Sequence, residues 1–125
     1  MRLTARLAAA ASALAITATI AGATNAHAEG NPPGCPRGYF CAYTGENQTG
    51  TLALKTAGNW TGGVAGIRSV FNNGAYDPEQ DHVQVGWRQY GQNYSDCLHF
   101  NPGPGAYKWN LNPVVLTSVT WRGEC

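Results

Sequence analysis

Charged side chains are scarce in this sequence, at 12% of 125 residues, about half the usual share for a globular chain. Arg2 and Arg6 sit at the extreme N-terminus, and what remains is six basic against seven acidic side chains. With no basic stripe to collect phosphates, the composition argues against nucleic acid as a partner. With no amphipathic basic segment, it argues against attachment to a membrane surface. Beyond residue 28 no window carries a 3.6-residue apolar period, which argues against a helical fold. The four cysteines lack Cys-x-x-Cys spacing and histidines number three, so neither a metal nor any other cofactor is expected. Neither Gly-x-Ser-x-Gly nor His-Glu-x-x-His occurs, which leaves two common hydrolase chemistries without their residues.

What is present begins with a leader. Arg2 and Arg6 supply positive charge, residues 7–23 are almost wholly Ala, Leu, Ile, Thr and Ser, and Ala26-His27-Ala28 offers small residues around a cleavage point. Residues 1–28 therefore read as a secretory signal peptide, with no stop-transfer pattern behind it, and the protein is expected to be secreted. Residues 29–34, with Pro32, Pro33 and Gly34, read as a flexible lead-in. The rest, 35–125, is one domain, expected as a monomer.

A domain this small buries only about 60–65% of its unfolded surface, so covalent bracing matters. Four cysteines in an exported chain fit two disulfides, with three possible connectivities. Proximity in sequence favours Cys35 with Cys41, which leaves Cys97 with Cys125. In the loop-entropy picture the first closure contributes roughly 2–2.5 kcal/mol and the second about 3.5 kcal/mol.

The stretch 35–50 opens the domain and has a looser copy downstream. Gly45-Glu46-Asn47-Gln48-Thr49 returns as Gly91-Gln92-Asn93-Tyr94-Ser95, 46 positions on, and Trp60 precedes Ser69-Val70 as Trp109 precedes Ser118-Val119. Two landmarks in one order at nearly one period indicate a duplicated unit, about 35–74 and 82–125. Alternating apolar residues predict strands at 39–44, 51–55, 67–71, 82–88, 97–100 and 114–121. Residues 45–50, 72–74 and 89–96 are expected as turns, 56–66 as an irregular loop pinned by Trp60, and 101–105 as irregular because of Pro102 and Pro104. The architecture that follows is all-β, two four-stranded antiparallel sheets face to face with one Greek key per unit.

Two other chemistries compete on single residues. His82 and His99 with Glu79, Asp81 or Asp96 could serve general acid–base catalysis, but the strand pattern puts His82 on a solvent face, where an isolated histidine is usually inert. Trp60, Trp87, Trp109 and Trp121 could make an aromatic platform for a glycan. Trp60 and Trp109 stand at equivalent places in the repeat, as paired core anchors would.

An aromatic strand, a Gly-x-Asn turn, an apolar strand, an anchored loop and a closing Ser-Val strand, given twice, resemble the βγ-crystallin Greek key. The opening Cys-Pro-x-Gly-x-x-Cys at 35–41 narrows the resemblance to the secreted bacterial peptidase inhibitors typified by the streptomycete metalloproteinase inhibitor. That resemblance implies a βγ-crystallin-like sandwich and a protein that is not an enzyme. It implies an extracellular protease as partner, of the thermolysin-like zinc type, met by a rigid loop. The matching stretch runs from Tyr90-Gly91 to Phe100, with Cys97, Leu98, His99 and Phe100 as the contact residues and Cys97-Leu98 at the bond offered to the protease. Asn101-Pro102 stands where the family's loop has a second cysteine. The calcium ligands of many crystallin domains would fall at Val64, Ala65, Pro113 and Val114, which cannot supply side-chain oxygens. The alternative function is a secreted binding or structural module, for cell-wall glycan or a protein, without inhibitory activity.

Overall fold

The computed structural model describes residues 27–125; the expected leader lies outside them except for its last two residues. Six strands follow one another, β1 (Tyr39–Tyr43), β2 (Leu52–Thr56), β3 (Trp60–Asn73), β4 (His82–Gln89), β5 (Gln92–Leu98) and β6 (Lys108–Arg122). All pairings are antiparallel, in the order β2-β1-β3-β6-β4-β5. The all-β class is found. Hydrogen bonding, however, runs unbroken through one six-stranded sheet where two separate four-stranded sheets were expected.

The reason lies in the two long strands. The start of β3 pairs with the end of β6, Trp60 opposite Val119 and Val64 opposite Leu116, whereas its end pairs with the start of β6, Val70 opposite Trp109. Register shifts fall between Val64 and Ser69, and Gly66 there takes a φ of 76°, the left-handed conformation that a bulge readily gives to glycine. Beyond the bulge β3 also pairs with β1, while the far half of β6 also pairs with β4. Each half of the sheet thus contains four strand segments, and β3 and β6 serve both.

Phe40, Ala42 and Val70 from one half share a core with Val83, Val85, Leu98 and Val119 from the other, all with no exposed surface. A sheet alone leaves its faces open, and the described residues contain no helix. The two halves therefore cover each other, each buried Val, Leu, Ile or Phe contributing roughly 1.5–3 kcal/mol. Trp60, Trp87, Trp109 and Trp121 are half-buried and pack against this core. The pairs Cys35–Cys41 and Cys97–Cys125 are both bonded.

Several expected boundaries move. The 56–66 loop is strand from Trp60 onward, because β6 supplies a partner that local composition does not announce. Asn72 and Asn73 end β3 instead of making a turn, and both are fully buried. Asn72 Nδ2 donates to the main-chain oxygens of Asp81 at 2.9 Å and Leu98 at 3.3 Å, and Asn73 Nδ2 donates to Asn31 Oδ1 and to the Cys35 oxygen. Asn72 keeps one local bond, its Oδ1 accepting from the Gly74 N–H at 2.9 Å, while tertiary partners take both side-chain amides. Residues 29–34 form no strand, yet Glu29, Asn31 and Pro33 are tied to Asn101, Asn73 and the Tyr43 hydroxyl. The 45–50 hairpin folds back onto β3, where Ser69 Oγ accepts from the Gln48 N–H at 2.9 Å and donates to the Gly45 oxygen at 2.7 Å.

Candidate functional site

The expected 89–96 turn is a much tighter object. β4 and β5 pair residue for residue from Val83 with Leu98 to Gln89 with Gln92, so only Tyr90 and Gly91 lie between them. Their φ angles of 53° and 75° are both positive, as a two-residue type I′ hairpin turn requires. Tyr90 stands at the tip, 85% exposed. Trp87 and Tyr94, directly opposite each other, stack at 6.0 Å with an interplanar angle of 18°, a cross-strand pair that stiffens the hairpin. β5 closes one edge of the sheet and is exposed from Gln92 to Asp96, so its outer backbone groups have no strand beside them among the described residues.

The four expected contact residues divide. Cys97 is half-buried and bonded to Cys125. Leu98 is fully buried, faces Val83 and belongs to the core. In this packing the side chain expected to meet the protease faces the core. β5 ends at Leu98, and His99 and Phe100 lie just beyond it, both half-buried.

These two meet His82, which is fully buried and not on a solvent face as the alternation suggested. Phe100 packs edge-on to the His82 ring at 5.7 Å. His82 Nδ1 lies 2.6 Å from Asp81 Oδ1, and its Nε2 lies 3.3 Å from His99 Nε2. Asp81 Oδ1 can accept from Nδ1, and in that neutral tautomer the Nε2 lone pair of His82 faces His99. His99 Nδ1 is buried with no hydrogen-bond partner among the described residues. Burial first, and the neighbouring His82 second, hold the His99 imidazole below its ordinary pKa, against the opposing pull of Glu124 and Asp81.

Of the other acidic candidates, Asp96 turns to the N–H of Cys97 at 2.7 Å, and the N–H of Glu79 is held by Asp77. Asp81, His82 and His99 are thus brought together from that group. Residues that sequence reasoning missed complete the neighbourhood. Asn72 ties Asp81 to Leu98, as above. Glu124 reaches the histidine pair beside the Cys97–Cys125 bond, and a Cβ on Gly105 would overlap the His99 ring. The sequence offered Asp81, His82 and His99 as candidates but gave only Asp81 and His82 as neighbours.

Residues 28–79 match the model of peptidase inhibitor family I36. The match spans β1 to β3 and ends before the β4–β5 hairpin. No curated protein matches the chain, and no solved structure does.

Proposed function

Residues 28–79 belong to peptidase inhibitor family I36, and from that membership we propose that the protein is a secreted inhibitor of thermolysin-like zinc metalloproteases that presents its β4–β5 hairpin to the protease cleft. The family is one of inhibitors, not enzymes, and implies a protease as partner. The observation that carries the site is the free edge of β5. Proteases hold their substrates extended, and an exposed edge strand offers the same row of backbone donors and acceptors. The I′ turn, the Trp87–Tyr94 stack and the Cys97–Cys125 bond at the far end order the strand beforehand, which reduces the entropy lost on docking.

Tyr90 and Tyr94 are the apolar side chains this hairpin exposes. His99 and Phe100 flank its base, and Leu98 acts from beneath as core support. The proposed fold behind it is the βγ-crystallin pair of Greek keys, supported by the way β3 and β6 divide their pairing between two four-stranded halves. Two disulfides among the described residues support an oxidising, extracellular setting.

The test is titration of the purified protein against thermolysin, subtilisin and trypsin. Inhibition of thermolysin, weakened at least tenfold (about 1.4 kcal/mol) by Y90A together with Y94A, is the expected result. No inhibition of any of the three removes the reading. The second reading, a glycan-binding module, draws on the 73% exposure of Tyr76 and the 85% exposure of Tyr90. Retention on insoluble peptidoglycan or chitin without inhibition would favour it.

A further inference from the structure

We propose that His82, His99 and Glu124 form a binding site for a divalent transition-metal cation of the Zn2+ class, oriented by Asp81 from behind. The expectation of no metal rested on cysteine spacing and on how few histidines there are, and these ligands, two of them histidines, come from three other parts of the chain. One ligand atom from each residue lies within 4.8 Å of the other two. The two Nε2 atoms are 3.3 Å apart, and nitrogens bound to a tetrahedral Zn2+ at about 2.05 Å stand ~3.3 Å from each other.

Hydrogen bonding within the pair is poor without a cation. With both rings neutral and the His82 proton on the Nδ1 that meets Asp81, either His99 donates from Nε2 and leaves its Nδ1 buried with a bare lone pair, or two lone pairs face each other across 3.3 Å. A cation on both Nε2 atoms removes that conflict between lone pairs. The carboxylate behind His82 is the outer-shell partner that metal-binding histidines recruit to set tautomer and raise basicity.

Charge and assembly point the same way. Asp81 and Glu124 together offset the two positive charges of the ion. The Glu124 carboxylate is outside both ion pairs found among the described residues, and Arg122 Nη2 bonds the Glu124 main-chain oxygen instead. The Cys97–Cys125 bond joins the residue two before His99 to the residue just after Glu124. Asn72 clamps the residues just before His82 and His99. Two imidazoles and a carboxylate suit Zn2+, Ni2+ or Cu2+ over Ca2+ or Mg2+, and three protein ligands leave a fourth position for water.

Calorimetric titration of the purified, disulfide-bonded protein with ZnCl2 tests the site without reference to protease inhibition. One equivalent should bind. D81N should weaken binding by roughly 10–100-fold, as outer-shell partners do, and H99A by more than that. E124Q should also weaken it, whereas E46Q, at an exposed carboxylate outside the cluster, should leave it unchanged. H99A and E124Q alter side chains that are not fully buried, so they remain informative even where a His82 variant fails to fold. Absence of Zn2+ binding by the unmodified protein, or equal affinity in H99A and E124Q, overturns the proposal.

Discussion

The side chain of Asn101 grips the main chain of Glu29 on both sides: Nδ2 donates to the Glu29 carbonyl at 2.8 Å, and Oδ1 accepts from the Glu29 N–H at 2.8 Å. Asn101 is fully buried, and its own N–H donates to the Asn72 oxygen. One residue therefore couples the start of the domain to the segment that carries His99.

Replacing Asn101 by Ala removes both bonds to Glu29 and leaves neighbouring polar groups without a partner. The expected cost is about 1–3 kcal/mol, read as a lower midpoint in urea unfolding. An unchanged midpoint would mean that Glu29 is not held in solution.

The Glu29 carboxylate accepts from Tyr107 at 2.5 Å and from Lys108 Nζ at 2.8 Å. These bonds, Lys108 first, depress its pKa below the ordinary 4.5. Its contribution is therefore present above about pH 4.5 and is lost as pH falls through the depressed folded value. The same carboxylate, with burial, pushes the Tyr107 hydroxyl up to about 12 from 10.0. That contribution is complete below pH 10 and is lost as pH rises toward 12. E29Q should flatten both arms of a plot of thermal midpoint against pH; a profile identical to that of the unmodified protein would remove this account.

The two disulfides close loops of different length, with sequence separations of 6 and 28. Replacing Cys97 and Cys125 by Ala should cost about 3.5 kcal/mol, and replacing Cys35 and Cys41 nearer 2–2.5 kcal/mol. Chemical denaturation of the two double variants gives the order. A reversed order would show that contacts around Cys35, which packs with Tyr43, outweigh loop entropy.

Gly86 lies opposite Ser118 where β4 crosses β6, and an added Cβ would overlap the Ser118 hydroxyl. G86A should destabilise by about 1–3 kcal/mol, and S118G added to it should recover much of the loss. Failure of the double variant to recover would place the strain in the backbone and not between these side chains.

The sequence by itself determined the β class and most strand cores, and proximity in sequence pointed to the cysteine pairs that are bonded. Alternation, repeated Gly and Trp landmarks and cysteine spacing are local signals that survive without coordinates. Only tertiary structure decided that β3 begins at Trp60, since small residues at 61–66 become strand through pairing with β6. Burial of Leu98 and His82 was likewise settled by which half of the sheet covers the other. Glu124 and Asn72 reached the histidine pair through a disulfide and through side-chain bonds to distant carbonyls, interactions that no periodicity encodes.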